Sequence, residues 1–360
     1  MFRPYDTADT DWSKQVRKTA CRLSIIVILL WTVGTAPAQA RQITDMAGRT
    51  VTVPDVIGKI YGTSPPATLM AYAMDPSLVA GLNMPIKPDD APYLDPRMTS
   101  RPVVGGWFGQ GRVASMETLL ALQPDIILVW WWQHSAMDEK MANTLAPLGI
   151  PVVYMALNQL ADYPEAFDFL GMLLHREARA GMLGSYARQT LAESERVRRA
   201  IPDDARVSVY YAEEADGLST ECHTSVHAEL IPLSGGENVH RCIQRTRVGK
   251  QKVSMEQILN YDPQVIVAHE RLFFKHIAAD PKWQNIRAVQ QGRVYRIPSR
   301  PFNWFDRPPS FMRLLGLKWM LHHLYPDHTA IDIVSETRQF YRLFLNVDLD
   351  EAAARKLLAP

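Results

Sequence analysis

Six stretches of this 360-residue chain concentrate side chains that could grip a solute: Tyr61-Gly62-Thr63-Ser64-Pro65, Trp107-Phe108-Gly109-Gln110, Trp131-Trp132-Gln133-His134, residues 211–223, His269-Glu270-Arg271, and Phe302-Asn303-Trp304-Phe305-Asp306-Arg307. Their chemistry is recognition. Guanidinium forks at Arg271, Arg300 and Arg307 suit carboxylates or an anionic metal complex through paired hydrogen bonds. Rings at Trp107, Trp131, Trp132, Tyr211 and Trp304, with the amide of Asn303 beside them, would bury much of a large flat ligand at little entropy cost. Neutral imidazoles at His134, His223 and His269 could complete the coordination of nickel, copper or iron in an unsaturated chelate. A bare-metal site of His, Glu and Asp needs several ligands converging on one point, and no such constellation can be read.

These stretches need a scaffold, and the chain supplies a unit of it twice. Residues 115–127, Ser-Met-Glu-Thr-Leu-Leu-Ala-Leu-Gln-Pro-Asp-Ile-Ile, return at a constant offset of 139 as residues 254–266, Ser-Met-Glu-Gln-Ile-Leu-Asn-Tyr-Asp-Pro-Gln-Val-Ile. Glu117 and Glu256 open short apolar helical runs that end at Pro124 and Pro263, after which residues 126–130 and 265–268 read as buried strands. Further strands are expected at 43–54 (an antiparallel pair), 59–62, 78–82, 152–155 and 206–211, with a helix from Pro65 through Met74. Strands alternating with helices predict mostly parallel sheets covered by helices. Ligands of such sheets gather beyond the carboxyl ends of the strands, where the six stretches fall. Residues 177–201 contain no proline, and Leu183, Tyr186, Ala187, Thr190, Leu191, Ser194 and Val197 recur at helical spacing. A helix of about 25 residues extends about 38 Å, enough to cross from one lobe to another. The fold class expected is therefore α/β: two Rossmann-like lobes, residues 41–160 and 206–360, joined through a helical connector at 161–205.

The first 40 residues stand apart. Lys14, Arg17, Lys18 and Arg22 precede an apolar run at 23–33, and Ala38-Gln39-Ala40 offers small residues for cleavage, a secretory signal pattern. Cys21 precedes that run, so it is not placed as a lipoprotein cysteine would be. Without the leader, 34 basic residues face 35 acidic ones, and no concentrated basic face suggests nucleic acid. In an oxidising compartment Cys222 and Cys242 are expected to form a disulfide, with metal ligation alongside His223, His227 or His240 as the rival. No Gly-x-Ser-x-Gly elbow, phosphate loop or zinc-protease helix is present, which leaves an exported enzyme without a recognisable centre.

An ordered set of motifs resembles the class III periplasmic solute-binding proteins of ABC importers, which carry ferric siderophores, cobalamin, haem and metal chelates. The set runs from Thr44-Asp45-Met46-Ala47-Gly48-Arg49 through Met116-Glu117 and Leu122-Gln123-Pro124-Asp125 to Ser234-Gly235-Gly236-Glu237-Asn238-Val239 and Val253-Ser254-Met255-Glu256. It closes with Asp280-Pro281-Lys282-Trp283, Gly292-Arg293-Val294-Tyr295 and Leu324-Tyr325-Pro326-Asp327. The resemblance implies two lobes joined by the long helix with the ligand held in the cleft between them, in a monomeric carrier with no catalytic residues and no intrinsic cofactor. Its partners would be a permease dimer with its ATPase, and Glu117 and Glu256 would dock on permease arginines. The cargo expected is a ferric siderophore or similar iron complex, with cobalamin, haem or a nickel or cobalt chelate as the nearest alternatives; a sensory binding protein is the alternative from another class.

Overall fold

The repeated letters become a repeated packing arrangement. The computed structural model describes residues 1–2, 40–107, 113–131, 136–243 and 249–359. Strands β1 (Ala40–Thr44) and β2 (Thr50–Pro54) form an antiparallel hairpin, and β3 (Ile60–Gly62), β4 (Ile126–Trp131) and β5 (Val152–Ala156) form a parallel sheet in that order. After it come β6 (Ser208–Ala212), β7 (Ser219–Thr220), β8 (Glu237–Asn238), β9 (Gln251–Lys252), β10 (Val265–Ala268) and β11 (Val294–Arg296). The second parallel sheet runs β8-β6-β10-β11, while β7 and β9 pair separately.

The two parallel sheets match strand for strand. Ile126 lies opposite Ile60 and Ile127 opposite Val152 in the first; Val265 lies opposite Val209 and Ile266 opposite Val294 in the second. Beyond β3, Val79 bridges Ile60 in parallel, just as β8 flanks β6. Even a side-chain tie recurs. Asp125 accepts from the Lys59 N–H at 2.7 Å, and Gln264, 139 positions on, accepts from the Ser208 N–H at 2.9 Å. Each side-chain oxygen holds the start of a central strand against its neighbour, so register and letters duplicated together.

Each central strand follows a short helix. Ser115 and Ser254 cap Met116–Leu122 and Met255–Tyr261 by accepting from the N–H of Thr118 and Gln257 at 3.1 and 3.2 Å. Both helices end in left-handed backbone, at Gln123 (φ 48°) and Asp262 (φ 35°), which turns the chain into β4 and β10. The expected strand at 78–82 is reduced to single bridges at Val79 and Leu82. Asp75 instead caps a 3-10 turn at Pro76–Leu78, accepting from the Ser77 N–H at 2.8 Å.

The long helix spans Glu177–Ala200, 24 residues. Near its start Arg179 donates to the Ala73 carbonyl (2.7 Å) beside the first sheet, and near its end Ser194 donates to the Leu233 carbonyl (2.5 Å) beside the second. A second bridge comes from the C-terminus. Residues beyond 332 return to the first half, where Tyr72 donates to the Leu345 carbonyl (2.5 Å) and Phe344 meets Phe167 at 5.9 Å. The apolar side of that segment, Phe340, Tyr341 and Phe344, is fully buried, so the tail does not belong to the second half alone. Cys222 and Cys242 form a disulfide with their Cα atoms 5.6 Å apart. Closing the loop between them, a sequence separation of 20, removes about 3 kcal/mol of unfolded-state entropy. Among the described residues no helix is long and apolar enough to cross a membrane; residues 3–39 lie outside them.

Candidate ligand cleft

Where the strands end, the two halves face each other across a cleft of about 870 Å³. The first half contributes Pro65, Thr68 and Leu69, just past β3, and the loop from Leu82 to Asp90. That loop is pinned at its root: Asn83 donates to the Gly62 carbonyl (2.8 Å) and Thr68 donates to Asn83 (2.7 Å). Gly62 permits the approach, since a Cβ there would stand 2.4 Å from the Thr68 nitrogen. The second half contributes His269, Glu270 and Arg271 after β10, Arg296 at the last position of β11, and the segment from Ser299 to Pro308.

Cations dominate this lining. Lys87, Arg271, Arg296, Arg300 and Arg307 oppose Asp89, Asp90 and Glu270. Arg300 crosses the cleft to Asp89 (3.0 Å) and Asp90 (3.1 Å). Arg307 is held from beneath. Among the described residues, Arg271 and Arg296 make no ion pair. Burial lowers the pKa of Arg296, and the positive charges of Arg271 and Arg300 lower it further. His269 is also pushed below its ordinary value, first by burial, so it stands neutral at pH 7.

Arg307 rests on a buried carboxylate cluster. Its Nε donates to Glu213 (2.9 Å), its Nη2 to Glu221, and Asp306 lies 3.5 Å away. Ser225 donates to Glu221 (2.7 Å), and Asp306 faces the Nδ1 of His227 at 2.6 Å. With three carboxylates sharing one guanidinium, burial outruns the attraction of Arg307 and pushes Glu213 from 4.5 up to about 7. Because the folded value lies above the unfolded one, the protonated form is the one folding favours. That stabilisation is complete below pH 4.5 and is lost as pH climbs through about 7, a swing of at most about 3 kcal/mol. Urea unfolding at pH 5 and pH 8 should show wild type more stable at the lower pH by part of that amount, and Glu213→Gln should shrink the difference. An unchanged difference would mean that Glu213 does not titrate in this range.

The sequence candidates divide by place. Arg271, His269, Asn303 and Arg307 line the cleft, with Arg300 beside them. Asn303 is nearly buried there, and its carbonyl oxygen is occupied by the N–H groups of Phe305 (2.8 Å) and Asp306 (3.0 Å). Trp304 lies in the core instead of on the lining, because helix Met312–Leu324 passes directly over it: a Cβ on Gly316 would stand 1.8 Å from the Trp304 carbonyl oxygen. Tyr211 is fully buried against Phe305, with ring centres 4.6 Å apart. Trp107 meets Tyr61 edge-on, it and Trp131 pack on the core of the first sheet, and neither is among the described residues that line the cleft. His223 sits beside the disulfide, where its Nδ1 accepts from the Cys242 N–H at 3.3 Å. Trp132 and His134 lie outside the described residues, and among those described no cluster of His, Cys, Asp and Glu could hold a metal ion. Lys87, Asp89, Asp90 and Arg296 escaped the sequence reading. Arg296 carried a usable signal, since it closes a strand and therefore stands at the ligand edge of the sheet.

A cleft walled by the carboxyl ends of two duplicated parallel sheets defines a two-sided solute binder. The chain belongs to the periplasmic binding protein family, whose pattern matches residues 92–301. It is similar to the vitamin B12-binding protein of Pectobacterium atrosepticum, 26% identical over 257 residues, covering 69% of this chain and 82% of that one. Among solved structures it superposes on an ABC transporter solute-binding protein from Sulfurospirillum deleyianum with a TM-score of 0.81 and 37% identity, covering 88% of this chain and 98% of the other. A periplasmic solute-binding protein from Veillonella parvula follows at TM-score 0.73 and 26% identity, covering 89% and 97%. These relatives are solute-binding proteins and not enzymes.

Proposed function

We propose that this protein captures an anionic metal chelate, a ferric siderophore or a similar iron complex, and hands it to an ABC permease and its ATPase. One observation carries the reading: Arg271 and Arg296 both line the cleft and, among the described residues, neither forms an ion pair with a carboxylate. Holding such charges together is unfavourable unless an anion arrives to offset them. Among the described residues the lining holds one aromatic ring besides the histidine, Phe302, so they offer a corrin or porphyrin little to stack on. Lobes at 41–160 and 206–360, the second sending its tail beyond 332 back onto the first, a connector at 161–205, secretion by cleavage near Ala40 without lipidation, and a monomeric state complete the proposal. The long helix, tied to both halves, would limit closure to small motions.

Cobalamin is the second reading, favoured by the relatives that are named for vitamin B12. Titration discriminates between the two. Trp304 donates to the Arg300 carbonyl (3.3 Å), so its emission should report on cleft occupancy. Protein isolated from its own periplasm is examined by native mass spectrometry with metal analysis, then titrated with anionic ferric chelates and with cyanocobalamin. Quenching by a ferric chelate with Kd below about 1 μM is expected. Tighter binding of cyanocobalamin than of any ferric chelate would transfer the assignment to the corrin.

A further inference from the structure

The duplicated helices share a surface feature besides their glutamates. In each seven-residue helix only one side chain is fully buried, Leu119 in the first and Ile258 in the second. The next residue in each is a leucine turned to solvent: Leu120 is 54% exposed and Leu259 is 41% exposed. They are 139 positions apart, as are Glu117 and Glu256, which are also exposed. Positions three apart on a helix are neighbours, so each half presents one carboxylate with one leucine beside it. A single exposed leucine is ordinary. The same leucine, exposed at the same place beside the same acid in two halves that have diverged elsewhere, describes a surface used twice.

We propose that Leu120 and Leu259 are the apolar half of two matched docking knobs, each received by one of two equivalent permease subunits that offers a cationic side chain beside an apolar recess. The partner follows from the arrangement, because a patch repeated in two halves fits a surface repeated in two subunits. Charge and apolar contact then divide the work. The carboxylates steer and set register, while a leucine entering a dry recess supplies affinity. This inference rests on the transport reading above.

The test uses the full mature protein and the permease–ATPase complex of its own organism, reconstituted in nanodiscs, with docking affinity and cargo affinity measured separately. Leu120→Ala and Leu259→Ala are each expected to weaken docking about tenfold and the double variant roughly a hundredfold, with cargo quenching unchanged. If docking survives the double leucine variant but falls in Glu117→Ala/Glu256→Ala, the leucines are not knobs and the transport reading stands. If neither pair changes docking, or the complex does not bind the protein at all, the inference fails together with the transport reading.

Discussion

Replacing Arg271 and Arg296 together by methionine should lower the affinity for an anionic ferric chelate by about 10²–10⁴-fold, while thermal stability holds or rises slightly. The binding loss follows from two hydrogen bonds to charged groups, each contributing about 1.5–3 kcal/mol. Stability should not fall because neither arginine makes an ion pair among the described residues, and Arg296 is already penalised by burial and by its positive neighbours. Methionine keeps the length and apolar stem of the side chain, so packing changes little. Fluorescence titration checks the first claim and calorimetry the second. A neutral ligand such as cyanocobalamin should bind the variant as it binds wild type. Full retention of ferric chelate binding would remove the anionic cargo from consideration.

Glu229→Leu should strike the fold itself, with a loss of about 3–5 kcal/mol and a fall in Tm of roughly 10 °C. Glu229 receives the guanidinium of the deeply buried Arg313 from helix Met312–Leu324, and it accepts from the Leu160 N–H at 3.0 Å. One carboxylate therefore neutralises a core charge and ties the segment after β5 to the second half. Removing it strands a cation in the interior. The companion variant Glu229→Leu/Arg313→Met removes both charges and should recover most of the loss, since the net contribution of a buried pair is small once desolvation is counted. Thermal and urea unfolding of the three proteins decide the point. A double variant as unstable as the single one would show that the damage comes from the Leu160 tie or from packing.

The architecture was legible wherever a pattern repeated. The 139-residue offset announced two sheets, and the structure extends it to strand order, register and the Asp125 and Gln264 ties. The helix at Glu177–Ala200 showed its apolar spacing and its lack of proline. The cleft was harder to read for a physical reason. A tryptophan's type says that it prefers to leave water, and says nothing about whether a ligand or the protein's own core will cover it. Trp304 is covered by the Gly316 helix, a relation between segments that no local pattern encodes. The stretch Met84-Pro85-Ile86-Lys87-Pro88-Asp89-Asp90 looks like an ordinary solvated turn. Its role emerges only when Arg300, more than 200 positions later, is brought opposite. The fold-back of residues beyond 332 was hidden for the same reason: its partners at Tyr72 and Phe167 are remote in sequence.

The ion pairs from Arg300 to Asp89 and Asp90 bear on how a cargo leaves as well as on how it enters. Any anionic guest that reaches Arg300 competes with two carboxylates that the fold already holds beside it within the same molecule. The protein thus carries its own displacer. Occupancy near Arg300 is contested from inside the cleft at every moment, so the off-rate can stay high even when the remaining contacts are tight, and strengthening that pair should hasten unloading without any change at the far wall.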